Sequence, residues 1–285
     1  MNFPSQRRLK FSFLLNSLIF KKMKLSKQIK TITGLVTFAF LSLLSVTNTP
    51  LKAGLGSDPD CPDSGNADAM SSNCFQTPTV MEVPFYELGF CTSDPLSGFS
   101  FSRNSCEKAW DSSTPQTIDL AKFNYSGLTS GLTYKIPNRT YTHAYVIVGN
   151  TWGLKSEAYF NNKTYYSDEN GSVTETAADF AKFDDTITSM SGTETPDNCY
   201  DYQNSTDYGP IKAVITDSSL NTASNTSTCN SAVRLIGSID LDNDLTMSDS
   251  VKSYNLTWIV RKMGIFVQNG GTAPNQFYSG PFVPN

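Results

Sequence analysis

The sequence holds one histidine, His143, among its 285 residues. A site built from several histidine ligands is therefore excluded, and any Ser-His-Asp arrangement has to use this one side chain. No G-x-S-x-G elbow accompanies it: in Gly127-Leu128-Thr129-Ser130-Gly131 the serine stands one place too late. Close C-x-x-C pairs are also missing, which removes the usual spacing of a thiolate metal site. The longest apolar stretch, Ile32 to Val46, falls short of the roughly 20 residues that a membrane span needs. No cysteine follows that stretch directly, as lipid anchoring would require, since Cys61 lies too far downstream. No internal repeat points to a propeller or a solenoid.

What the N-terminus does contain is a three-part export signal. From Met23 a basic head, Lys24 to Lys30, precedes the apolar stretch, and Pro50-Leu51-Lys52-Ala53 ends it with a small residue. Residues 1–53 are read as this signal, with cleavage after Ala53 and Met23 as the true start. The segment carries nine of the 22 Lys and Arg residues and none of the 26 acidic ones, so the chain after it has 13 basic against 26 acidic groups. A chain that acidic is a poor match for nucleic acid or an anionic membrane, which are bound through clustered Lys and Arg. Cations or basic partners are its electrostatic complement, and the membrane enters only if the signal stays uncleaved. The expected location is exported: periplasmic, cell-surface or extracellular.

All six cysteines lie beyond the signal, which points to disulfides. Of the fifteen possible pairings, closeness along the chain favours Cys61 with Cys74, Cys91 with Cys106, and Cys199 with Cys229.

The rest of the chain reads as strands and turns. Arg139 to Asn150 alternates with apolar or aromatic residues of both parities, which predicts a central strand buried on both faces. The apolar phase flips beside Pro84, predicting a bulge there, and again at Lys262-Met263-Gly264 inside a long strand from Tyr254 to Val267. Asn161-Asn162 and Asn170-Gly171 predict hairpin turns, because Asn and Gly tolerate positive φ. Residues 92–114, 190–208 and 218–230 read as loops, and Ala177 to Phe183 as a turn or two of helix. The expected fold is all-β, an antiparallel β-sandwich with long disulfide-stapled loops and little helix. The expected organisation is an extended N-terminal arm over 54–79, a β-sandwich domain over 80–268 and an irregular tail over 269–285. Two smaller β-domains dividing near Met190 are the alternative.

Four sets of residues could carry function. His143, on a tyrosine-lined strand face, reads as a hydrogen-bonded structural histidine. Asp240, Asp242 and Asp244 alternate like the opening of an EF-hand loop, but Leu245 and Val251 replace its Gly and Glu. They are the candidate ligands for calcium. Tyr200, Tyr202 and Tyr208, amid Asn, Asp and Ser, form a candidate surface for stacking on sugars or meeting a protein. Glu82, Glu87, Asp119 and Glu157 are the carboxylates that could serve a glycoside hydrolase, which needs no histidine.

Together these residues favour an exported binding protein for a glycan or protein ligand at the cell surface, without catalysis. A self-assembling envelope or filament subunit, adding its arm or tail as a strand to another copy, is one alternative. A secreted carboxylate-dependent hydrolase is the other.

Overall fold

The computed structural model describes residues 9–12, 59–122, 131–188, 201–206, 209–250, 255–280 and 283–284. All of them belong to one compact unit. Among them the chain forms 18 strands, taken here in chain order. They begin with β1 (Leu9–Ser12), β2 (Cys74–Gln76), β3 (Val80–Cys91), β4 (Cys106–Asp119), β5 (Leu132–Thr133) and β6 (Thr140–Gly149). Next come β7 (Thr151–Lys155), β8 (Glu157–Phe160), β9 (Lys163–Ser167), β10 (Val173–Thr174), β11 (Phe183–Thr186) and β12 (Asp201–Thr206). The last are β13 (Gly209–Thr216), β14 (Arg234–Thr246), β15 (Asn255–Ile259), β16 (Ile265–Asn269), β17 (Pro274–Ser279) and β18 (Val283–Pro284). Helix is limited to α1 (Thr226–Asn230) and two 3-10 turns, Ser97–Phe99 and Ala177–Asp179. No described helix is long and apolar enough to cross a membrane.

The main sheet is antiparallel and grows outward from β3. One edge of β3 pairs with β4, and the other pairs with β6 over Phe85–Cys91 and with β7 over Val80–Glu82. Residues 140–155 therefore act as one strand bent at Asn150. That asparagine is buried, and its amide donates to the carbonyls of Ile187 and Ala232, which satisfies the bend from inside. Beyond β6 follow β14, β13 and β12, and beyond β7 follows β11. The stretch expected to be central is β6, lying between β3 and β14 with Ala144 to Asn150 buried throughout.

The second layer consists of the sheets β17-β16-β2 and β10-β9-β8, joined where the Phe277 N–H donates to the Gly171 carbonyl. A further sheet, β1-β15-β18, meets the main sheet where Phe85 packs edge-on against Trp258 of β15 at 5.4 Å, and the same core joins Met81 of the main sheet to Val267 and Phe277 of the second layer. Burying side chains of this size stabilises by about 1.5–3 kcal/mol each, which is what binds the layers together. The arrangement is the expected antiparallel sandwich.

A smaller cluster lies on the outer face of the main sheet: Tyr145, Ile147, Val214, Ile236, Cys91 and Leu96. It is covered by the loop between β3 and β4. The Cys91–Cys106 disulfide closes that loop at its base, and Cys61–Cys74 fastens the chain before β3. Cys229 is buried and disulfide-bonded as well, while its expected partner Cys199 lies outside the described residues. Disulfides persist in oxidising compartments, so these bridges suit a non-reducing, exported environment.

Several local expectations hold and several do not. Asn161 and Asn162 both have positive φ, 53° and 57°, and turn β8 into β9 as a two-residue hairpin. Gly171 has φ 74°, but the turn it serves is longer, with the Asp168 carboxylate accepting from the N–H groups of Asn170 and Ser172. The register of β3 shifts between Phe85 and Glu87, two residues past the proline that signalled it. Tyr254 to Val267 is not one bulged strand: β15 ends at Ile259, the chain turns with Lys262 at φ 55°, and β16 enters a different sheet. Residues 106–114, read as loop, belong to β4, and 201–206 form an edge strand. Both are polar strands in which alternation is too weak to see. Ala177–Asp179 is a single 3-10 turn, and Phe183 already begins β11. The segment after Pro59 does more than hang as an arm: β2 pairs with β16, and Met70 and Phe75 are buried. The tail likewise carries β17, with Phe277 in the core.

Candidate functional site

Outside the core, one groove gathers polar side chains from distant parts of the chain. Its volume is about 730 Å³, within the range of ligand clefts, and it opens on the outer face of the main sheet. Tyr86 and Glu87 come from β3, Ile147 from β6, and Asp111, Ser112 and Ser113 from β4. Gly131 and Leu132 lie at β5, Ser218 and Leu220 in the loop after β13, and Arg234 at the start of β14. Arg103 reaches in from the disulfide-closed loop.

The shift after Phe85 explains why two successive residues of β3 line the same groove. In a regular strand Tyr86 and Glu87 would point to opposite faces. Opposite the same irregularity, β4 resumes pairing at Gln116 after Asp111, leaving Ser112 to Pro115 bulged outward.

Glu87 is the most heavily engaged group in the groove. Its carboxylate accepts two hydrogen bonds from Arg103, Nε and Nη2 each at 2.8 Å, and one from the Tyr145 hydroxyl at 2.6 Å. Burial and then the neighbouring Glu87 charge push the Tyr145 phenol well above the usual tyrosine range. Its ring lies against Gly89, where a Cβ would collide with the ring and with the Glu107 carbonyl. Arg103 also stands 5.1 Å over the Phe101 ring, and Phe101 packs on Tyr145. Asp111 is engaged in the same way, accepting from Lys108 and from the Tyr134 hydroxyl at 3.1 Å. The hydrogen bond to Asp111, and then its charge, push the Lys108 ammonium above its ordinary value.

Arg234 differs. Its guanidinium carbon lies 3.5 Å from the centroid of the Tyr86 ring, and Nη1 donates to the Val233 carbonyl. Among the described residues Arg234 has no carboxylate partner, and the hydroxyls of Ser112, Ser113 and Ser218 hydrogen-bond to no described side chain or backbone group.

The residues singled out from sequence lie elsewhere, apart from Glu87. His143 sits on β6 with Nδ1 2.8 Å from the Thr142 hydroxyl and Nε2 4.0 Å from Asp240. Asp240, Asp242 and Asp244 do not form a turn between strands. They belong to β14, in the bulge between Asp240, opposite His143, and Leu245, opposite Tyr141. Among the described residues no three His, Cys, Asp or Glu side chains gather as a metal site. Tyr202 lies on the edge strand β12 rather than in a loop, while its side chain and all of Tyr200 and Tyr208 fall outside the described residues. The other carboxylates are dispersed: Glu82 pairs with Lys182 at 2.6 Å, and Asp119 accepts from the Met81 and Ala121 N–H groups. Glu157 accepts from Tyr159 at 2.5 Å; burial and that carboxylate push the Tyr159 phenol up to about 12.

Compared with known proteins, the chain matches no family model, no curated protein and no solved structure. Its function has to be argued from the groove.

Proposed function

We propose that the protein is exported, stays at or beyond the cell surface, and acts by binding a glycan in the groove on the outer face of its sandwich. The observation that carries this reading is the division of labour among the groove's polar groups. Both carboxylates are engaged on both oxygens by donors from their own chain, Glu87 by Arg103 and Tyr145 and Asp111 by Lys108 and Tyr134, which fits structural anchors better than a free acid or nucleophile. Arg234 has no carboxylate partner and the three serine hydroxyls no described hydrogen-bond partner, and they line the groove beside the side chains of Ile147, Leu132 and Leu220. Hydroxyl-rich, partly apolar ligands match such a lining. The groove lies between loops held by a disulfide and ion pairs, an arrangement that pre-organises a site and lowers the entropy cost of binding.

The test is an oligosaccharide array probed with the oxidised protein and with Ser218→Trp, which fills the groove from its exposed rim. Saturable binding lost in the variant, with an unchanged melting temperature, supports the reading. Equal binding by both proteins, or none to any saccharide, overturns it.

A second reading, assembly by strand addition, is favoured by one pairing. Leu9–Ser12, inside the segment read as an export signal, pairs antiparallel with β15 at Asn255–Trp258. Removing the signal would open that edge to a strand from another copy. The arm and tail expected as donors are already paired within their own chain as β2 and β17. Sedimentation of the signal-free protein decides: ordered oligomers support this reading, and a monomer opposes it.

A further inference from the structure

We infer that the groove selects acidic sugars, with Arg234 as the anchor for the ligand's anionic group. This deepens the glycan-binding reading and rests on it. The charges in the groove cancel in two local pairs, Arg103 with Glu87 and Lys108 with Asp111, which leaves the Arg234 charge uncompensated among the described residues.

Stacking on Tyr86 and the bond to the Val233 carbonyl hold the guanidinium in place. Of its five N–H donors one is used, so a planar fork remains for two parallel bonds to an anion. Arginine suits this task better than lysine, whose ammonium is a point charge without a fixed fork. Ser218 and Leu220, from the same side of the groove, supply a hydroxyl and an apolar contact for the ring that carries the anion. The excess of 26 acidic over 13 basic groups in the exported chain does not oppose this locally, because charges beyond about 8 Å are largely screened at physiological ionic strength. A sugar carboxylate and a sulfate ester present the same paired oxygens, so both sources belong to the inference.

Titration calorimetry of the oxidised protein against three probes tests it: an oligogalacturonate, a sulfated oligogalactan and the same oligogalactan without sulfate. One or both anionic probes bind, and the neutral one binds at least tenfold more weakly or not at all. The carboxylate and sulfate arms identify the source. Arg234→Gln weakens the anionic probe about 10- to 100-fold, the loss expected for charge-assisted hydrogen bonds. Arg234→Lys, which keeps the charge and gives up the fork, falls in between. If the neutral probe binds as tightly as the anionic ones, or if Arg234→Gln leaves anionic binding unchanged, the inference is overturned while glycan binding stands. If no saccharide binds and a peptide with a free C-terminus does, both fall.

Discussion

The Tyr145 hydroxyl donates to the Glu87 carboxylate across 2.6 Å, from a ring whose register partner on β3 is Gly89. Because position 89 has no side chain, the tyrosine can lean over the strand toward Glu87 and complete a shell that Arg103 begins. Tyr145→Phe keeps the ring and removes one donor, so a loss of about 1–2 kcal/mol is expected in urea unfolding. Glu87→Gln costs more, about 2–3 kcal/mol, since it breaks both charged bonds to Arg103. That remains below the cost of splitting a fully buried pair, because the Arg103 side chain is 43% exposed and water can take over. Equal losses from the two variants would contradict this ranking.

Acid should loosen the loop between β3 and β4 before it unfolds the sandwich. Burial pushes the Asp94 carboxyl up, but its bonds from Lys212 at 2.6 Å and from the Leu96 N–H at 2.9 Å outweigh this and hold it below the usual range. A carboxylate with a depressed folded value adds stability that is complete above about pH 4 and is lost as pH falls through the depressed value. The protection factor of the Leu96 amide, its exchange rate corrected for the intrinsic pH dependence, should therefore fall below about pH 4, ahead of core amides. Asp94→Asn should abolish that step, and an unchanged pH profile in the variant would contradict the assignment.

Opening the Cys91–Cys106 bridge should cost stability and function together. The bridge closes a loop with a sequence separation of 15, worth about 3 kcal/mol in the chain-entropy account. Inside that loop stand Phe101 and Arg103, which cover Tyr145 and hold Glu87. Replacing both cysteines with serine should lower the urea midpoint and weaken groove binding. Opening Cys61–Cys74, which lies in the other layer, should lower stability and leave binding intact. Equal binding losses from the two double variants would show that the effect is global rather than local.

Much of the framework was legible because it depends on local chemistry. The alternation around His143 marked the central strand, the paired asparagines marked a turn that needs positive φ, and sequence proximity marked two disulfides. The strands that escaped notice are polar. β12 is an edge strand, and β4 is only half-buried over most of its length and bulges at Ser112 to Pro115, so neither is obliged to alternate. The groove was harder to see, since it is assembled from seven separated stretches and its chemistry appears only when they meet. Two signals were present. One was the phase flip beside Tyr86-Glu87, read only as backbone irregularity. The other was the scarcity of arginine: after residue 53 there are four, and two of them, Arg103 and Arg234, line the groove.

Glycan binding at this groove is tested most directly by hydrogen exchange of the oxidised protein with and without a saturating uronate oligosaccharide. Protection should appear in three separate stretches, around Phe101 to Arg103, Asp111 to Ser113, and Ser218 to Arg234, while the β12 edge and the Asp240 to Leu245 bulge stay unchanged. Protection confined to that edge or that bulge, with none in the three stretches, would contradict the account.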